Sequence, residues 1–132
     1  MTDLLKACPG LALWLERRQL WRSMWQPENE LDLQIAARSS LHVRLGAQRV
    51  VVRSPLAPLP QNVTSRSQLL REALTRAGAL LSETSGGLAV DPARQQLWWQ
   101  DTWALNASEP EVDAALAAFL DTAQTLGDVL PR

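Results

Sequence analysis

Between residues 31 and 54 the chain alternates apolar and polar positions with a period of two, and on either side its apolar positions recur at helical spacing. Leu31, Leu33 and Ile35 point one way and Asp32 and Gln34 the other, which predicts a strand over 31–37 with one buried face. The pattern returns at 41–45, with Leu41, Val43 and Leu45 inward and His42 and Arg44 outward. A third strand follows at 49–54, with Val50 and Val52 inward and Arg49, Val51 and Arg53 outward. The links Arg38-Ser39-Ser40 and Gly46-Ala47-Gln48 are short, so the three strands are antiparallel neighbours in a meander.

The flanks read as helix. Leu4, Leu5, Cys8, Leu11, Ala12 and Leu15 keep helical spacing, and Trp14, Trp21 and Trp25 continue a rough stripe until Pro27. Pro9 either breaks this helix or marks the first turn of a second one. After the meander, Pro55, Pro58 and Pro60 end the sheet as a rigid crossover, or offer a PxxP ligand to a groove. Ser65-Arg66-Ser67-Gln68 fits a capping box. Leu70, Ala73, Leu74, Ala77, Leu80 and Leu81 then form the apolar stripe of a second helix, and Gly86-Gly87 turns the chain.

Residues 88–90 and 96–105 read as two more strands. On the second, Leu97, Trp99, Trp103 and Leu105 share one face and Trp98, Gln100, Thr102 and Ala104 the other. A last helix opens at Ser108, with Glu111 completing a capping box. Val112, Leu116, Phe119, Leu120, Ala123 and Leu126 make its stripe, and Gly127 and Pro131 end it. The expected fold class is α+β: one domain over residues 1–132, order α-β-β-β-α-β-β-α, an antiparallel sheet with helices packed on it.

Composition narrows the function. A chain of 132 residues, 46% hydrophobic, can bury an ordinary core, and a net charge of -1 demands neither nucleic acid nor an anionic membrane. The charge is unevenly spread. Residues 38–76 carry seven arginines against Glu72 alone, and residues 77–131 carry eight acids against Arg94 alone. This means either two electrostatic faces or simply two solvated surfaces. One cysteine, Cys8, forms no internal disulfide and fits a reducing compartment. The N-terminus, with Asp3 early and Pro9-Gly10 inside its apolar run, does not read as a secretion signal. No stretch approaches the roughly 20 apolar residues of a membrane span. The expected location is therefore the cytoplasm.

The residues for catalysis are missing. One histidine, His42, and one cysteine do not make a zinc site without recruited carboxylates. An imidazolium at His42 would form beside arginines, and an exposed strand residue is the simpler reading. Gly86-Gly87 lacks the spacing and the lysine of a phosphate-binding loop. Acids at 109, 111 and 113 suit a helix N-terminus. Asp101 is an oddly placed carboxylate without a second catalytic group. The expectation is no enzyme, no cofactor and no metal. Six tryptophans and no tyrosine are too many indoles for so small a core. Because residues 98 and 99 face opposite ways, one of that pair lies on the outer side of the sheet, as a docking or dimer contact, under a helix of the same chain, or as a sugar platform.

Several phrases in this order resemble the class I type III secretion chaperones, the family of the Tir chaperone. They are Val50-Val51-Val52-Arg53-Ser54-Pro55-Leu56-Ala57-Pro58-Leu59-Pro60, Gln68-Leu69-Leu70-Arg71-Glu72-Ala73-Leu74, and Gly87-Leu88-Ala89-Val90-Asp91-Pro92 followed by Gln96-Leu97-Trp98-Trp99-Gln100. Val112 to Leu120 completes the set. The strand-then-proline region also resembles the YscB-like subfamily that serves a secretion gatekeeper. The likeness covers about residues 30–130. Residues 1–27, with Pro9-Gly10 and the added tryptophans, form a divergent N-terminal helical region, and Ala77-Gly78-Ala79 stands where the family often has an Asn-Leu pair.

The resemblance implies a small cytoplasmic bacterial dimer that holds the N-terminal segment of a secreted effector or gatekeeper protein extended and export-competent. Its partner in the dimer is a second copy or a second small chaperone. Family dimers use the second helix and a neighbouring strand, which nominates Leu70, Leu74 and Trp98. Gln34, Arg44, Val51 and Arg53 are the expected docking residues, with the two arginines meeting acids on the cargo. A nucleic-acid-binding module using the arginine face is the alternative; binding that collapses with modest salt would favour it.

Overall fold

Pro9 does not break the first helix; it begins it. In the computed structural model, which describes residues 8–18, 25–26, 30–36 and 39–130, helix α1 spans Pro9–Arg17 with the proline in its first turn. A missing N–H costs nothing there and the fixed φ suits the helix. Leu11, Trp14 and Leu15 are buried along one stripe, as the spacing predicts. The helical reading fails at Trp25. Trp25–Gln26 is a two-residue strand, β1, pairing Trp25 with Leu31 and Gln26 with Glu30. Pro27 lies just beyond it, and a backbone that can pair with a sheet edge gains ladder bonds that a helix ending at a proline would forgo. Leu4, Leu5 and Trp21 lie outside the described residues.

The meander forms as the alternation predicts. Strands β2 (Glu30–Ala36), β3 (Ser39–Leu45) and β4 (Arg49–Pro58) are antiparallel neighbours. The β2–β3 turn is tighter than predicted, because Ala36 already pairs with Ser39 across a bulge. At the β3–β4 turn, the Gly46 amide donates to the Arg49 carbonyl at 2.8 Å. A Cβ at Gly46 would stand 3.0 Å from that same oxygen, a tight approach that glycine relieves.

Strand β4 overruns its prolines. It was expected to end at Ser54, yet it pairs with β6 (Gln96–Ala104) as far as Pro58, with a bulge between Pro55 and Ala57. The reason lies on the other side. The β3–β4 ladder stops at His42 opposite Arg53, so beyond that point β4 has one strand neighbour and needs donors on one side only. Proline is tolerated under those conditions.

Helix α2 (Val63–Gly78) starts before the serine box. Asn62 is the N-cap, its side chain accepting from the Ser65 amide at 3.1 Å, and Ser65 is already helical. The helix ends at Gly78, and a series of turns leads to β5 (Gly87–Asp91). Asp91 accepts from the amides of Ala93 and Arg94 and bends the chain into β6. Helix α3 (Glu109–Val129) opens with the predicted Ser108–Glu111 capping box.

The strands form one antiparallel sheet in the order β1-β2-β3-β4-β6-β5. Leu31, Leu33, Leu41, Val43, Val50, Val52, Leu97, Trp99 and Trp103 of its inner face join residues of all three helices in one buried cluster. Each such large side chain contributes about 1.5–3 kcal/mol when fully buried. The other face of the sheet carries the polar half of the alternation.

Candidate docking surfaces on the sheet and on helix α2

The register sets the outer face. Asp32 lies opposite His42, His42 opposite Arg53, and Arg53 opposite Gln100, forming a row of polar side chains across four strands. Arg44 lies opposite Val51 in the next row, and Gln34 opposite Ser40 on the other side. All four predicted docking residues, Gln34, Arg44, Val51 and Arg53, therefore stand on one face. Among the described residues no carboxylate comes within ion-pair distance of Arg44 or Arg53.

Trp98 is the aromatic centre of this face. It is buried, at 8% exposure, but stands outside the inner cluster. The Arg53 guanidinium lies over its ring, 4.6 Å from the centroid, and the His42 ring is 6.5 Å away at a tilt of 53°. The prediction that one of the 98/99 pair faces outward holds for Trp98, with side chains of its own sheet as the cover. The same cover corrects the reading of His42, which is 7% exposed, not an open strand residue. Its Nδ1 is hydrogen-bonded to the Asp32 carboxylate. Alternation alone assigns the side of the sheet but not what the neighbouring strands place on top of it.

Below Trp98, where β3 parts from β4, a groove of about 370 Å³ opens on this face, lined by Asp32, Gln34, Ser40, His42, Arg94 and Trp98 among others. The Trp98 Nε1 is buried and has no hydrogen-bond partner among the described residues. Ser54 donates from Oγ to the Ser40 carbonyl at 2.8 Å, satisfying one of the groups left by the parting strands.

Helix α2 carries the second surface. Leu69 and Ala73 join the inner cluster and Leu70 is half-buried against it. The predicted core stripe is only partly a core stripe: Leu74 and Leu81 are 64% and 78% exposed, and Val63 is exposed with them. The helix and the turns after it meet the core through Leu69 and Ala73, with Leu70, Ala77 and Leu80 packed against the cluster, and leave Val63, Leu74 and Leu81 outside. Val90, on the edge strand β5 beside α2, is exposed too. Leu70 and Leu74 therefore lie on the inner side of the sheet and Trp98 on the outer side, so the three do not share a face.

The remaining singled-out groups have local duties. Asp101 accepts from Ser85 Oγ at 3.0 Å through both oxygens and from the Thr102 amide at 2.7 Å, tying the loop before β5 to β6. Cys8 is buried, and desolvation raises its thiol pKa, which suppresses the reactive thiolate. The acids opening α3 do more than suit its dipole. Glu109 pairs with Arg17 at 2.9 Å, and Asp113 accepts from Trp14 Nε1 at 2.9 Å and pairs with Arg18. These contacts clamp α1 to α3, with Gly10 packed so closely that a Cβ would meet the Ala107 carbonyl oxygen at 2.0 Å. Nothing local in the sequence announces that clamp. Among the described residues, no group of three or more His, Cys, Asp or Glu is placed to hold a metal, and no helix is long and apolar enough to cross a membrane.

No family model and no curated relative matches the chain. Solved structures do. The complex of ExsC with ExsE matches at a TM-score of 0.74 and 16% identity over 99% of this chain and 98% of the other. The HopA1–SchA chaperone–effector complex matches at 0.70 and 15% over 96% and 97%. The Yersinia pestis type III secretion chaperone SycH, solved with a fragment of YscM2, matches at 0.62 and 16% over 91% and 98%. This chain has the fold of type III secretion chaperones. The fold also occurs in YbjN of E. coli, a candidate transcription regulator, at 0.62 and 11% over 90% and 87%. Function must therefore be argued from the surfaces and not from the fold alone.

Proposed function

We propose that this protein is a cytoplasmic bacterial type III secretion chaperone that binds the N-terminal segment of a secreted effector or gatekeeper protein in extended form and keeps it export-competent. The observation that carries the reading is the near-complete, end-to-end match to the HopA1–SchA chaperone–effector complex and to the type III secretion chaperone SycH. The outer face supports it, since Gln34, Arg44, Val51 and Arg53 share one side of the sheet and the two arginines lack carboxylate partners among the described residues. Acidic positions of an extended cargo would supply those partners while its apolar side chains cover Val51. The work is binding, without turnover and without a cofactor.

The chaperone acts as a dimer through α2. Leu74 on α2 and Leu81 in the turns after it are exposed leucines beside half-buried Leu70, apolar surface of the kind that monomers seldom leave to water. The other half of the dimer is a second copy or a second small chaperone, as in the gatekeeper subfamily. Trp98, on the far side of the sheet, belongs to the docking face.

The test is a pull-down from the native cytoplasm with the tagged chain, identified by mass spectrometry, together with the mass of the complex by light scattering. Recovery of one secreted protein, lost when its N-terminal segment is trimmed, with a dimer mass for the chaperone, is the expected result. A monomer that recovers only nucleic acid, or nothing, overturns the reading.

A further inference from the structure

Three successive outward positions on β4 are a cation, an apolar side chain and a cation: Arg49, Val51 and Arg53. Arg49 is exposed and the other two are half-buried, while Val50 and Val52 between them point into the core. Among the described residues no carboxylate lies within ion-pair distance of either arginine. Arg49 donates to the Thr102 hydroxyl at 3.3 Å and Arg53 stacks on Trp98, neutral partners that leave both charges unanswered. The strands on either side differ. On β6 the residues opposite this row, Ala104, Thr102 and Gln100, are neutral. On β3, Arg44 stands opposite Val51, and beyond it Glu30 of β2 stands opposite Arg44.

We infer that this row reads a pattern in the bound segment: acid, any residue, apolar, any residue, acid, lying extended along the outer face of β4. The inference rests on the chaperone reading and names the sequence that this face selects. Side chains on one face of a strand recur about every 6.6–6.8 Å, and an extended peptide repeats at the same interval. Its alternate side chains therefore meet Arg49, Val51 and Arg53 in turn, with a carboxylate on each guanidinium and the apolar group over Val51. A segment running across the strands would not match, because neighbouring strands stand about 4.7–4.9 Å apart. A segment laid over β3 would meet the Glu30 carboxylate, which competes for Arg44 and repels an acid. The pattern is the same read in either direction, so both chain polarities fit.

The probe is a labelled serine-rich peptide carrying Glu-Ser-Val-Ser-Glu, compared with one carrying Glu-Ser-Val-Glu-Ser. The two have the same composition and charge, so long-range attraction to the arginines cancels in the comparison. Fluorescence anisotropy with the intact chain should show the second peptide binding about fivefold more weakly. Arg49→Gln, a change at an exposed position, should bring the first peptide down to the level of the second. Arg44→Gln should weaken both alike and keep the difference. The inference is overturned if the two peptides bind equally or in the reverse order, or if neither binds. It is overturned equally if the difference survives Arg49→Gln or vanishes in Arg44→Gln. Failure here would leave the chaperone reading intact if the tagged chain still recovers a secreted protein by its N-terminal segment; that reading falls only with the pull-down.

Discussion

Trp98 and Trp99 are adjacent on β6 and nearly equal in burial, at 8% and 1%, yet they belong to two different surfaces. Trp99 is locked into the inner cluster, with Gly86 so close that a Cβ would meet its ring at 2.6 Å. On the outer face Trp98 lies under the Arg53 guanidinium of the neighbouring β4, with the His42 ring of β3 beside it. A long, flexible guanidinium can leave a ring face at little cost, whereas a close-packed core cannot open locally. The inner face thus holds the molecule together, whereas the outer ring is covered by a side chain that can move.

The sharpest way to break this comparison is to remove each ring. Trp99→Ala should lower stability by about 3–5 kcal/mol, the range for a large aromatic lost from a core. Trp98→Ala should cost clearly less, and urea unfolding at fixed protein concentration measures both. Equal losses would mean that Trp98 is core after all, and that the outer face has no separate role.

A second contrast lies within α2, between its buried edge at Leu69 and Ala73 and its exposed apolar residues. Leu74→Glu places a charge where the dimer contact is proposed but where the protomer buries little. The expected result is a dimer weakened about tenfold or more in light scattering, with helical content unchanged by circular dichroism. A dimer of unchanged strength would move the contact away from this helix.

How far the sequence carried these distinctions depended on the range of the forces involved. The strands of the meander were legible because each buries one face, and period-two alternation is the direct record of that. The start of α2 was misread because Ser65 and Gln68 match a capping box by spacing, while Asn62 capped the helix three residues earlier. The run to Pro58 was missed because proline's effect on a ladder depends on how many neighbours a strand has, which only the assembled sheet decides. His42 needed the register of β3 against β4 before its burial could be seen. The outward set, Gln34, Arg44, Val51 and Arg53, was readable as a face, whereas the groove beside Trp98 was not, since it arises where two strands separate.

The smallest expected effect concerns the α1–α3 clamp, whose partners Trp14 and Asp113 are ninety-nine residues apart. Hydrogen bonds from Trp14 and then from Arg18 hold the Asp113 carboxyl below its ordinary range. A depressed carboxylate pKa contributes stability that is present above the unfolded pKa and lost as pH falls through the folded value. The clamp should therefore be intact at neutral pH and release in the acid range below about pH 4. Because Asp113 is exposed, solvent screens the contribution and the change should be shallow. Asp113→Asn should leave the melting temperature nearly unchanged at pH 3 and lower it slightly at pH 7, so that the two proteins converge on acidification. Melting curves that stay parallel over that interval would mean that α1 is held by Leu11, Leu15 and the close fit of Gly10, with the carboxylate adding nothing.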